Sequence, residues 1–305
     1  MNEPGEYSFI RYLQAKRTVD DRALNQRVWQ HLVTDLGELP REDPLRVIEV
    51  GAGIGTMLQR MVEWGLDRDM DYTALDSDPS VLSWAAKGLP TWAGNRGWRT
   101  EQPQAGSLIL EGQHQRVRVE FLPEDISNIP ENSREMWDLL VAHAFLDLVD
   151  LETALKILLS LLRPDGFFYL TLVFDGATIF RPIVDPTFEA LVESSYHRTM
   201  EGGGSRRQPQ GHSQTGRMLL EALLEGNASI SAAGSSDWVI HPPYEGDEAY
   251  FLYHILHIME GALKSCPDLD QNRFEQWIGV RRRQIEKEQL IYIAHQLDLL
   301  GRPHG

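Results

Sequence analysis

The stretch VIEVGAGIGTML, residues 47–58, limits what this chain can fold into more than any other. Its β-branched apolar start reads as a buried strand. Glycines at 51, 53 and 55 follow directly. A glycine takes positive φ without steric cost and lets a backbone approach a ligand closely. A strand that runs through such a loop into a helix presents free N–H groups to whatever sits at its end.

The rest of the chain repeats that rhythm. Leu24, Val28, Leu32 and Leu36 recur every fourth position and predict a helix over 19–36, with Thr18 as N-cap and Asp21 at the capping-box position. LRVIEV is a first strand, followed by a helix around 56–65, the strand YTALDSD and the helix PSVLSWAAKG. Residues 88–115 read as an extended loop, and SLILEGQHQRVRVEFL as a hairpin feeding a third strand near 117–122. WDLLVAHAF, LETALKILLSLL and FFYLTLVF give a fourth strand, a helix and a fifth strand. Beyond Phe174 come an amphipathic segment (Phe188, Leu191, Val192, Tyr196), the flexible-looking EGGGSRRQPQGHS, the helix TGRMLLEALLEG and the strand SDWVI. Two helices and a last strand, LIYIAHQLD, complete the chain. Alternating strands and helices predict an α/β, doubly wound, mostly parallel sheet.

In such a sheet ligands sit at the carboxyl ends of the strands. Those ends carry Gly51–Gly55, Asp76, Glu124-Asp125, His143 and Asp175, an acidic set with no nearby lysine and a poor seat for phosphates. Asp76 lies 21 residues past Gly55, where a carboxylate accepts ribose hydroxyls. The spacing is G-x-G-x-G with Thr56 next, against the G-x-G-x-x-G of dinucleotide folds. A nicotinamide oxidoreductase therefore stays open as an alternative at the cost of that mismatch.

These segments together resemble the class I S-adenosylmethionine-dependent methyltransferases. VIEVGAGIGT is similar to the family's first motif, ALDSDPSVL to its second, FLPEDISNIP to its adenine segment, WDLLVAHAF to its fourth motif and LLRPDGFFYLT to the turn into strand five. The match covers roughly 45–175, with a continuation to 298. The resemblance implies a seven-stranded sheet whose last strand is antiparallel, with SDWVI and LIYIAH as candidates for the final two. It implies that Gly51, Ala52, Gly53 and Gly55 line the cofactor and that Glu49 lies near its amino group. Asp76 and Ser77 then meet the ribose, Asp125 the adenine amino group, and Ile126 the ring face. His143 is expected at the methionine arm or as a base, with a hydrogen-bonded core histidine as the equal alternative. For Asp125 an N-cap is the competing reading.

Residues 1–40 are expected to form a helical lid over the body 41–305, with Arg17 pairing the cofactor carboxylate or, equally, a surface salt-bridge network. Residues 176–212 form a substrate-side insertion. Tyr12, Asp147, Tyr196 and His197 are the candidate acceptor-binding residues, and His143 and Asp175 the candidate catalytic ones. Asp147 and Asp175 also admit plain readings, as a helix cap and a turn residue. His254 and His257 are expected in core packing, because no third metal ligand is evident.

The resemblance implies methyl transfer to the oxygen, nitrogen or carbon of a small molecule; a non-catalytic scaffold of the same fold is the third alternative. With 29 Lys+Arg against 45 Asp+Glu the net charge is −16, which speaks against a nucleic-acid partner. A single cysteine, Cys266, excludes an intramolecular disulfide. No apolar run approaches ~20 residues and the first residues are polar, so a cytoplasmic chain without a membrane span is expected.

Overall fold

The computed structural model describes residues 4–40, 43–130, 133–203, 211–226 and 228–304. The glycine- and arginine-rich stretch read as flexible lies mostly outside them. Helices α1 (Phe9–Ala23) and α2 (Gln26–Gly37) precede β1 (Leu45–Val50), α3 (Thr56–Glu63), β2 (Met70–Leu75) and α4 (Pro79–Gly94). β3 (Arg99–Glu101), β4 (Ser107–Glu111), β5 (Arg116–Leu122), β6 (Trp137–His143), α5 (Leu151–Leu161) and β7 (Leu162–Arg181) follow. α6 (Pro186–Arg198), α7 (Thr215–Glu225), β8 (Ala228–Ser235), β9 (Trp238–Ile240), α8 (Glu248–Leu263), α9 (Gln271–Glu286) and β10 (Ile291–Pro303) complete the described chain. Among the described residues no helix is long and apolar enough to cross a membrane.

The strands form one sheet in the order β3-β4-β5-β2-β1-β6-β7-β10-β8, with β9 also on β10. β5, β2, β1, β6 and β7 are mutually parallel neighbours; β10 runs antiparallel to β7, and β8 and β9 antiparallel to β10. The mostly parallel architecture is thus present, with ten strands rather than seven. The surplus is β3 and β4, which extend β5 as an antiparallel meander, and β9. SDWVI supplies only the short β9; the strand beyond β10 is the unforeseen β8, whose small residues ASISAAGS carry little apolar alternation.

Successive side chains of a strand point to opposite faces, and both faces are covered. Leu45 and Val47 join a core with α1–α3 and α8, while Ile48 and Val50 join one with α5 and α7. Glu49 and His143 share the first face by the same alternation. Val28, Leu32 and Leu36 of α2 are completely buried there, each contributing roughly 1.5–3 kcal/mol.

Two helix limits differ from the sequence reading. The helix expected over 19–36 is two helices, because Leu24 is extended and Asn25 caps α2 through bonds from Arg27 N and Val28 N. Thr18 lies inside α1, whose cap is Ser8. Helix α4 runs past Gly88 and Pro90 to Gly94, since Val81, Ala85, Leu89 and Ala93 form one buried stripe that outweighs the bond lost at proline.

Candidate cofactor and acceptor site

The loop after β1 takes the backbone shape that only glycine holds easily: φ is 70° at Gly51, 53° at Gly53 and 78° at Gly55. A Cβ on Gly51 would lie 2.8 Å from the Phe145 ring, and one on Gly53 would face Leu13 of α1 at 3.6 Å. The loop is tied to the next strand by Ala52 N donating to Leu75 O at 3.0 Å and by Gly53 N donating to Asp76 Oδ2 at 2.9 Å. Asp76 Oδ1 accepts from Asp78 N at 2.9 Å. Each Asp76 oxygen so keeps a lone pair for a further donor. Asp76 is half-buried and Ser77 exposed.

Beside the loop lies a buried polar network. α1 presents Tyr12, Lys16 and Asp20, one turn apart, on one face. Asp20 Oδ2 accepts from Lys16 Nζ at 2.8 Å and lies 3.1 Å from His143 Nε2, while Oδ1 accepts from Trp238 Nε1 at 2.9 Å. Arg60 of α3 is fully buried: its Nε donates to Asp21 at 2.6 Å, its NH1 lies 3.2 Å from His143 Nε2, and its NH2 lies 3.5 Å from Asp20. Burial works to raise the Asp20 carboxyl, yet Lys16, His143 and Arg60 together hold it below its ordinary range. Sequence reasoning missed Lys16 and Arg60, and its reading of no nearby lysine at this edge is corrected. The signal for Lys16 was the i, i+4 spacing with Tyr12 and Asp20.

His143 is buried, with Nδ1 2.9 Å from Thr171 Oγ1 and Nε2 shared between Asp20 and Arg60. Burial, with Lys16 and Arg60 against Asp20, pushes it down to about 4. It is a neutral ring with both nitrogens engaged within the protein. Glu49 is also buried and accepts from Tyr72 OH at 2.5 Å. Burial pushes it up to about 8 despite that bond and Arg60. It is therefore mainly a neutral acid at pH 7.

Arg17 pairs with Gln59 and, at 2.8 Å, with Glu63. Those partners realise the salt-bridge alternative and leave no free guanidinium there for a cofactor carboxylate. Asp125 is exposed and caps a turn at Ile126–Asn128, accepting from Ser127 N at 2.8 Å and Ser127 Oγ at 2.7 Å. Ile126 is buried behind it.

Asp175 is not a free base either. Its Oδ1 accepts from Arg217 N and Nε, both at 2.9 Å, and Oδ2 from Arg217 NH2 at 3.1 Å. The ion pair docks α7 on β7, where Gly216 is small because a Cβ would come 2.9 Å from Asp175 Cβ. Asp147 follows β6 in a 3-10 turn; the cap of α5 is Asp150, bonded from Thr153 N at 3.0 Å. Burial pushes Asp147 up to about 6. His197 Nε2 meets Thr178 Oγ1 at 3.1 Å, with its ring edge-on to Phe174. Tyr12 stacks on His254 with centroids 4.4 Å apart, and Tyr7 on His257 at 4.1 Å. Both histidines serve in aromatic packing, and among the described residues no group of His, Cys, Asp and Glu is arranged to hold a metal ion.

A doubly wound sheet with a glycine turn and a carboxylate at the ends of adjacent strands defines a nucleoside-binding α/β domain. Residues 22–213 match the model of a family described as a methyltransferase domain, and the chain belongs to that family. No curated protein matches it. Among solved structures it is similar to the YcgJ protein from Bacillus subtilis, at 12% identity and TM-score 0.51, over 92% of this chain and 100% of that one. It also aligns with an S-adenosylmethionine-dependent methyltransferase from Geobacter sulfurreducens in complex with S-adenosylhomocysteine, at 14% identity and TM-score 0.49, over 96% and 98% of the two chains. Another such enzyme with S-adenosylhomocysteine, from Thiobacillus denitrificans, gives 14% identity and TM-score 0.48, over 98% and 99%.

Proposed function

We propose that the chain transfers a methyl group from S-adenosylmethionine to a small-molecule acceptor by in-line displacement. The observation that carries this is the pairing of three left-handed glycines with the Asp76 carboxylate bonded to their loop. When bound, the cofactor supplies an electrophilic methyl group on a sulfonium, so no metal is needed.

Gly51, Ala52, Gly53 and Gly55 give the donor a backbone surface free of side chains beyond Cβ. Asp76 takes the ribose hydroxyls, with Ser77 beside it, and Ile126 lies against the base with Asp125 at its edge. The amino-acid end falls to the buried network around Asp20, where the Lys16 ammonium keeps donors beyond its bond to Asp20 and Arg60 NH2 has no hydrogen-bond partner among the described residues, rather than to Arg17. Glu49, held neutral by burial, supports the loop from below. Residues 4–40 close over this end through Asp20 and exclude water, which strengthens every electrostatic contact inside. The acceptor lies among Tyr12, Asp147, Tyr196 and His197.

The test is thermal unfolding with added S-adenosylhomocysteine or NAD, since a ligand that binds only the folded state raises Tm. S-adenosylhomocysteine is expected to raise it and NAD to leave it unchanged. Stabilisation by NAD alone would overturn the proposal and favour the oxidoreductase alternative.

A further inference from the structure

Beyond Asp175, β7 continues past the donor edge to Arg181, and the chain then turns back as α6, which packs on β7 and α8. Between these elements and α9 lies a cavity of about 230 Å³, below the ~300–1,000 Å³ of sites for drug-sized ligands. Phe180, Val192, Met259 and Trp277 form its apolar wall, each at most 7% exposed. The Phe180 and Trp277 rings meet edge to face, with centroids 5.4 Å apart. None of the residues assigned above to the donor or the acceptor lines this cavity.

Three charged side chains line it: Arg181, Glu189 and Glu193. Glu189 is matched by Arg281, a fully buried guanidinium that stands over the Phe180 and Trp277 rings at 5.5 Å and 4.9 Å. Glu193 Oε1 accepts from Thr178 N at 3.2 Å, which holds that carboxylate at the Thr178 end. Arg181 stands at the other end. Neither Arg181 nor Glu193 has an ion-pair partner among the described residues, and the two do not pair with each other. From Thr178 to Arg181 the strand advances roughly 10 Å, and α6 covers about the same length from Glu193 back to Pro186. The cavity is thus an apolar trough with an anion at one end and a cation at the other. At that separation, about one Debye length in physiological salt, the two charges gain little from each other.

We infer that this cavity binds an elongated zwitterion of the ω-amino acid class, its ammonium on Glu193, its carboxylate on Arg181 and its apolar spacer against Phe180 and Trp277. A ligand of one sign would satisfy one end, while its body stripped water from the unmatched charge at the other. A neutral ligand would do so at both ends. A molecule that carries both counter-charges recovers both. No bond is made or broken at this site, and the inference stands apart from the methyl-donor reading.

The test is calorimetric titration of the full chain at neutral pH with 4-(aminomethyl)benzoate, 4-methylbenzoate and 4-methylbenzylammonium. These probes share a ring and differ in which charged ends they carry. The zwitterion is expected to bind about 10-fold tighter than 4-methylbenzoate, which lacks the group for half-buried Glu193. Over 4-methylbenzylammonium the margin is expected to be about 5-fold, because Arg181 is exposed. Glu193→Gln, which still accepts from Thr178 N, is expected to erase the first preference, and Arg181→Gln the second. The inference is overturned if a singly charged probe binds as well as the zwitterion, if the zwitterion does not bind, or if a preference survives its substitution. Should Glu193→Gln not fold, the wild-type selectivity and the exposed Arg181→Gln still decide. The methionine arm of the donor is itself a zwitterion, so the titrations are repeated with saturating S-adenosylhomocysteine, and the affinities are expected to be unchanged. Competition between the two would put the probe at the donor's amino-acid end and overturn the inference. A chain that binds no S-adenosylhomocysteine but selects the zwitterion brings down the methyl-donor reading alone; one that binds S-adenosylhomocysteine without zwitterion selectivity brings down this inference alone.

Discussion

Asp20 of α1 and His143 at the end of β6 meet with Oδ2 and Nε2 3.1 Å apart. Asp20 is buried to 2% exposure, and its other partners come from α1 itself, α3 and β9. One carboxylate thus fixes the segment ahead of the first strand to the sheet edge where the glycine loop opens.

Replacing Asp20 by Asn keeps the shape and removes the charge that Lys16 and Arg60 share. Breaking one side of a buried ion pair typically costs about 3–5 kcal/mol. Asp20→Asn is therefore expected to lower the urea midpoint markedly with an unchanged slope. A loss below about 1 kcal/mol would mean that Asp21 alone holds Arg60 and that Asp20 adds little to the attachment of α1.

Asp76→Ala removes the acceptor for Gly53 N and the proposed ribose partner together. Two charge-assisted bonds are worth about 1.5–3 kcal/mol each, so affinity for S-adenosylhomocysteine is expected to fall about 100-fold or more. Calorimetry checks this. Unchanged affinity would remove Asp76 from the ribose role.

The glycine loop, the order of the parallel strands and the carboxylate at 76 were legible in the sequence because each is a local pattern: a period, a turn residue, a short spacing. The network was not, because its partners are distant along the chain. Asp20 meets His143 across 123 residues and Trp238 across 218. The fourfold apolar spacing from Leu24 to Leu36 hid a break that Asp298, almost three hundred residues from the start, helps fix by accepting from Asn25 N at 2.8 Å. Asp175 was found by position, but its partner was not, since nothing local announces Arg217. Asp147 was expected at a helix start; Asp150 holds that place, with Asp147 in the 3-10 turn just before it.

Arg217 offers a direct separation of structure from chemistry at Asp175. Its half-exposed side chain supplies two of the three bonds from its residue to that carboxylate, and the third comes from its backbone. Arg217→Met is expected to lower Tm only modestly, because the pair is open to solvent on the arginine side, with kcat and its pH profile within about 2-fold of wild type. A displaced pH–rate profile would return Asp175 to the reacting groups.

Glu49 gives the folded state a pH dependence of defined sign. Its carboxyl is raised from 4.5 to about 8 by burial, against the bonds from Tyr72 and the charge of Arg60. Between those values the folded chain holds a proton that the unfolded chain has released. Stability from this group is complete below pH 4.5 and is lost as the pH rises toward 8. His143 acts in the opposite sense: its pKa drops from 6.5 to about 4, so its contribution is lost as the pH falls through that interval. Wild type alone therefore mixes the two. The difference between wild type and Glu49→Gln isolates Glu49, because Gln still accepts from Tyr72 and does not titrate. Unfolding free energies at pH 5 and pH 8 are expected to show the variant gaining on wild type by a few kcal/mol at the higher pH. A difference that does not change with pH would mean that Glu49 is ionised in the fold, with Arg60 as its true partner.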